Sequence, residues 1–134
     1  MSTTWKGRIE LLLEANNRFV NGDPEPYKEL WHRGDKDITI ALFSGNGEVL
    51  SGWEALCEHF DSVAADCRDW DGVFEHTVLV ESVTEDAACV ARLQHAYDRL
   101  SDAVVDRRVT LFYRVIDGDW KIVYQHVDPY TTQP

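Results

Sequence analysis

From Val73 to Val127 the chain runs through four long alternating segments, Val73–Val83, Cys89–Arg99, Asp106–Ile116 and Trp120–Val127, with only short turn-forming runs such as Thr84-Glu85-Asp86 between them. β-Branched and aromatic residues at a period of two predict four consecutive strands, and connections this short predict an antiparallel meander. Such a sheet has an apolar face that must be covered, and the residues before it supply helices. Thr3 or Thr4 is placed to cap a first helix in which Trp5, Ile9, Leu12, Leu13, Phe19 and Val20 recur at three- and four-residue steps, with Asn16 the one polar intruder. Asn21-Gly22 ends it, and Asp23-Pro24 predicts an N-cap followed by proline at the first position of a short second helix through Tyr27, Leu30 and Trp31. Asp37–Phe43, the turn Ser44-Gly45-Asn46-Gly47 and Glu48–Leu50 predict a hairpin. Ser51-Gly52-Trp53-Glu54 has the spacing of a capping box, opening a third helix that buries Trp53, Leu56, Cys57, Phe60, Val63 and Ala64. The expected architecture is therefore α+β, with helices gathered on one sheet face. Residues 1–134 fit one domain without internal repeat or linker.

Charge narrows the partners. Against 13 Lys plus Arg stand 24 Asp plus Glu, a net charge of −11, which repels phosphate backbones and anionic headgroups. Neither nucleic acid nor a membrane is an expected partner. The apolar burst at Ile9 and Leu11–Leu13 is interrupted by Arg8, Glu10 and Glu14, too short and too charged for a leader or a membrane span. Cys57, Cys67 and Cys89 are odd in number and lack Cys-x-x-Cys spacing, so a reducing cytoplasm is the expected location. The five histidines show no His-x-His or His-x-x-x-His spacing, and neither metal nor cofactor is expected.

Residues 108–128, Arg-Val-Thr-Leu-Phe-Tyr-Arg-Val-Ile-Asp-Gly-Asp-Trp-Lys-Ile-Val-Tyr-Gln-His-Val-Asp, resemble the last hairpin of SnoaL-like and ketosteroid-isomerase-like proteins, which end in Asp-Gly-x-Trp-x-Ile-Val and His-x-Ser patterns. Asp128 stands where those relatives often carry Ser. Glu85–Ala91 also resembles the association domain of calcium/calmodulin-dependent protein kinase II. The resemblance spans nearly the whole chain and implies the nuclear transport factor 2-like fold: a cone-shaped α+β barrel with three N-terminal helices packed on one face of a curved, mostly antiparallel sheet. That superfamily contains isomerases, dehydratases, cyclases and non-catalytic assembly domains, so activity has to be argued from the site.

The final hairpin decides which side chains face a pocket. A three-residue loop Ile116-Asp117-Gly118 pairs Val115 with Asp119, setting Val109, Leu111, Tyr113 and Val115 beside Val123, Gln125 and Val127. A two-residue Asp117-Gly118 loop exchanges the partnerships. In the kinase association domain, arginines line the pocket at positions matching Gln94, Leu111 and Val127; the resemblance thus selects this row as the pocket wall and implies a neutral wall here. Gln94, Leu111, Gln125 and Val127, with Tyr27, Trp31 and Trp53 at the mouth and His126 on the last strand, are the expected ligand contacts. His32 with Asp35 supplies a base and its orienting carboxylate, and the Tyr113 hydroxyl can polarise a carbonyl; these three are the candidate catalytic residues. His59 and His76 read as surface or sheet residues.

The expected activity is cofactor-independent isomerisation, dehydration or cyclisation of a small hydrophobic molecule by acid-base chemistry. The alternative is a non-catalytic binding or oligomerisation module. In either case Phe112, Ile122 and Tyr124 are expected on a sheet face that pairs with a second copy, giving a homodimer.

Overall fold

A computed structural model describes residues 4–34 and 37–130. Asp35 lies outside the described residues. Helix α1 spans Trp5–Phe19, α2 Glu25–Glu29 and α3 Trp53–Ala65; the strands are β1 Ala41–Phe43, β2 Val49–Ser51, β3 Gly72–Val83, β4 Ala87–Asp98, β5 Val104–Ile116 and β6 Asp119–Pro129. The strands form one curved, unclosed sheet in the order β2-β1-β6-β5-β4-β3, antiparallel except where β1 runs parallel to β6.

Each helix starts and stops for a local reason. Thr4 caps α1, its hydroxyl accepting the Gly7 N–H at 3.1 Å, and the buried stripe Arg8, Leu12, Ala15, Asn16 follows the helical repeat. The chain leaves α1 through Gly22, at φ 91°, and Asn21 ties the helix end to β3: its Oδ1 accepts from Gly72 N at 2.7 Å and its Nδ2 donates to Gly72 O at 3.1 Å. In α2 the N-cap is Pro24 rather than Asp23, although Asp23 Oδ1 still accepts the Glu25 N–H at 3.2 Å. The expected capping box of α3 does not form. Ser51 is held in β2 opposite Ala41, and Gly52, at φ 89°, takes the N-cap position without a side-chain bond.

The first hairpin is shorter than its alternation predicts, with β1 beginning at Ala41 instead of Asp37. One cause lies on β6, where Ile122 N donates to Leu30 O at 2.9 Å and Ile122 O accepts from His32 N at 3.0 Å, so that the stretch after α2 already occupies this edge.

The β5–β6 turn corrects the preferred register. Ile116 pairs with Asp119 across a two-residue turn, with Asp117 at φ 53° and Gly118 at φ 82°. Two consecutive positive φ values match the twist of the flanking strands. Val115 therefore faces Trp120 and Tyr113 faces Ile122; the register then shifts at Val123, so that Leu111 meets Gln125 and Val109 meets Val127. One extra residue flips the parity of a strand. Trp120 and Ile122 thus point inward together with Gln125 and Val127, which no uninterrupted alternation allows, and Ile122 is buried in the core rather than on the outer face where it was expected beside Phe112 and Tyr124.

The inward row of β4, β5 and β6 packs with Leu12, Ala15, Tyr27, Leu30, Trp31, Leu56 and Phe60 from the helical side in one core cluster. The opposite face leaves Phe43 and Phe112 36% and 42% exposed.

Gly72 fixes the spacing between α1 and β3, because a Cβ there would lie 2.1 Å from the Val20 carbonyl oxygen. Gly72→Ala is expected to destabilise the fold by about 2–3 kcal/mol, read as a lowered urea midpoint; an unchanged midpoint would show that this junction yields freely.

Candidate functional site

Between the helices and the inward face of the sheet lies a cavity of about 200 Å³. Asn16, Phe19 and Val20 come from the end of α1, Tyr27 from α2, His59, Phe60 and Val63 from α3, and Phe74, Gln94, Ala96, Arg107, Gln125 and Val127 from four strands. The rings of Phe19, Tyr27 and Phe60 meet edge to face, with centroids 5.3 to 6.4 Å apart. They make a rigid apolar wall.

The polar floor is organised by a residue behind it. Arg92 on β4 is 0% exposed, and among the described residues it has no ion pair with a carboxylate. Its Nη2 donates to Asn16 Oδ1 at 2.6 Å, and its Nη1 lies 3.1 Å from His76 Nδ1. The Gln94 amide is assigned with its oxygen toward Arg92, accepting from Nε at 3.3 Å and Nη2 at 2.7 Å, the orientation in which donors meet acceptors. The Phe74 ring lies 5.4 Å from the guanidinium carbon. A guanidinium is normally ionised far above neutrality, so it is buried here as a cation solvated by neutral side chains. Burial pulls its pKa down to about 10, opposed by the Tyr27 and Tyr113 hydroxyls.

Tyr27 donates its hydroxyl proton to Gln125 Oε1. Burial pushes its pKa up to about 12, partly offset by the charge of Arg92. At the mouth, His59 Nδ1 stands 3.9 Å from Glu48 Oε2, and burial lowers the imidazole pKa against the pull of that carboxylate. The Cys67 thiol is pushed up, first by burial and then by Asp66.

Of the expected contacts, Tyr27, Gln94, Gln125 and Val127 line the cavity. Trp31 and Leu111 are buried in the core cluster. Tyr113 is also there, its hydroxyl buried without a hydrogen-bond partner among the described residues and its pKa raised by burial. His32 lies beside β6, held through its backbone by Ile122, and Trp53 is covered by the Arg33 guanidinium at 4.1 Å. Neither lines the cavity. His126 is on the outer face against Phe43, and the Asp128 carboxylate accepts two 2.8 Å bonds from Arg108. Asn16 and His59 line the cavity and Arg92 and His76 stand behind its floor, although the sequence pattern gives Asn16 and Arg92 no site role and reads His59 and His76 as surface or sheet residues. A signal existed for Arg92: it is two residues from Gln94 on one strand and so shares its face.

Residues 9–129 match the family of the SnoaL-like domain. A chain named as a calcium/calmodulin-dependent protein kinase type II association domain, from Thiobacillus denitrificans ATCC 25259, is similar in structure with a TM-score of 0.77 at 15% identity, over 98% of each chain. A chain named as a ketosteroid isomerase, from Parabacteroides distasonis ATCC 8503, gives a TM-score of 0.70 at 22% identity, over 98% of this chain and 96% of that one. A third, named as a dehydratase of the NTF2-like family from Streptomyces avermitilis, gives 0.70 at 18% identity, over 93% and 95%. At these identities the structural likeness speaks for the fold. No curated protein matches the chain by sequence.

His76 must accept from Arg92, and burial followed by the charge of Arg92 lowers its pKa. As the pH falls through about 6.5, the unfolded chain takes up the proton before the folded one, so this contribution to stability is present above that value and is lost below it. Imidazole NMR titration should place His76 below the ordinary histidine value and show an upward move in Arg92→Met. A His76 that titrates normally in the wild type would contradict the contact.

Proposed function

Because the chain belongs to the SnoaL-like domain family, within the nuclear transport factor 2-like superfamily, we propose that its helix–sheet cavity binds a small, largely apolar molecule and transforms it by cofactor-free acid-base chemistry. The observation that carries this reading is the pairing of an aromatic wall with a few convergent polar groups around one cavity of about 200 Å³. That volume favours a compact metabolite over a drug-sized one.

His59 takes the role of general base. It reaches the cavity from α3, burial favours its neutral form, and Glu48 is placed to stabilise the imidazolium once a proton arrives. Tyr27, joined to Gln125, orients the ligand and stays protonated because burial raises its pKa. His32 and Tyr113 do not line the cavity and are given no reacting role in this proposal, and Asp35 lies outside the described residues. Isomerisation and dehydration both need such a base beside a ligand held by an oxygen.

Homodimer formation through the outer sheet face is a second element of the proposal. Phe43, Tyr124 and Phe112 form a continuous row there, with ring centroids 5.3 and 5.1 Å apart, and a second copy would remove their exposed area from water. Three free, half-buried cysteines fit a reducing cytoplasm, and no described helix is long and apolar enough to cross a membrane.

Val63→Trp carries an indole into the cavity from α3 and should abolish the thermal stabilisation that free indole gives the wild type; equal stabilisation of both proteins would contradict binding in this space. On small cyclic enones and hydroxy ketones, His59→Gln should reduce turnover by about 100-fold, whereas unchanged turnover removes His59 from the chemistry. Sedimentation at micromolar concentration should show a dimer that Phe112→Lys converts to monomer; a wild-type monomer would contradict the outer-face interface.

A further inference from the structure

We propose that the cavity takes its ligand by a carboxylate, held by side-chain amide N–H groups that Arg92 turns toward it from behind. The proposal rests on the reading of this cavity as a binding site and names the class of molecule it selects.

A carboxamide carries its oxygen and its nitrogen on opposite arms, so whatever engages the oxygen decides where the NH2 group points. Arg92 engages the oxygens of both Asn16 and Gln94, at 2.6 Å and 2.7 Å from the same Nη2. Asn16 and Gln94 line the cavity, whereas Arg92 does not. Their NH2 groups are therefore the arms left for a ligand. Gln125 repeats the arrangement with a different partner, its oxygen accepting from Tyr27. Three amides on α1, β4 and β6 thus offer donors, and each has its acceptor already occupied.

A ligand that meets several donors needs acceptors. A carboxylate offers two oxygens and about four lone-pair sites, and it has no donor to clash with the amide N–H groups. Charge selects the same chemistry. The guanidinium is fully buried and has no carboxylate partner among the described residues, so its positive field is poorly screened at the amides that separate it from the cavity. Arg107 at the lining adds a second cation, against Asp66 at the rim. The neutral wall implied by the residues at 94, 111 and 127 describes the surface alone. One layer beneath it sits the charge.

The body of the ligand meets Phe19, Tyr27 and Phe60, which favours an aromatic or compact aliphatic acid. Asn16 and Gln94 are the binding residues. Arg92 is a positioning residue, acting through the orientation and polarisation of their amides.

Calorimetric titration of the full chain with benzoate, benzamide and indole tests this. Benzoate should bind at least ten-fold more tightly than benzamide, which matches its shape but lacks its charge and brings an NH2 group against the amide donors. Gln94→Glu places a carboxylate against Arg92, removing one donor and cancelling the field while keeping the guanidinium solvated. It should weaken benzoate at least ten-fold and leave indole binding in place. Arg92→Met should bring the benzoate-to-benzamide ratio close to one, a change that loss of packing alone does not produce. Equal affinity for benzoate and benzamide, or benzoate binding unaffected by Gln94→Glu, overturns the proposal while leaving the cavity a binding site for indole. If none of the three compounds enters the wild-type protein, the binding-site reading itself fails.

Discussion

A guanidinium sealed from water, and solvated among the described residues by neutral side chains, is the constraint around which the interior is arranged. Burying a cation costs several kcal/mol unless its donors are met, and hydrogen bonds to a charged group contribute about 1.5–3 kcal/mol each. Arg92 meets that demand by recruiting Asn16 from α1, His76 from β3 and Gln94 from its own strand. Asn16, on the buried stripe of α1, is thereby a tie between helix and sheet. Together with the Asn21–Gly72 junction, it holds the end of α1 at a set height above the strands. The space left below becomes the cavity, and the same contacts decide which arms of the amides face it.

This gives the interior a division of labour. In the proposed reading, aromatic rings supply apolar contact, amides read an acceptor oxygen, the guanidinium sets their direction and potential, and the imidazole at the rim serves proton transfer. The sheet contributes Gln94, Arg107 and Gln125 to the cavity lining from three strands. The outer face has a different composition. Its row of Phe43, Tyr124 and Phe112 is the surface on which the proposed second copy would pack.

Element order was legible in the chain because long period-two runs and capped helical stripes each leave a strong local signal. The register of the last hairpin was not, since a bulge of one residue at Val123 reverses facing without altering composition. Ser51-x-x-Glu54 misled for a related reason: strand pairing outside the four-residue window claims Ser51 first. In the site, Gln94, Gln125 and Val127 were reachable from strand parity and family likeness, and Tyr27 from its place in the short second helix. His59 was not, because nothing in a helical stripe tells which flank faces a hollow. The parity that turned Gln94 inward also turned Arg92 inward, yet an arginine in a strand ordinarily reads as exposed. Asn16 was the visible clue, a buried amide that needs a buried partner.

The most direct test of a cavity floored by Arg92-oriented amides is the side-chain NH2 spectrum of the isotope-labelled protein during addition of benzoate. The account predicts that the resonances of Asn16, Gln94 and Gln125 move together and saturate at one affinity. Shifts confined to residues of the outer sheet face, with these three amides unmoved, would contradict it.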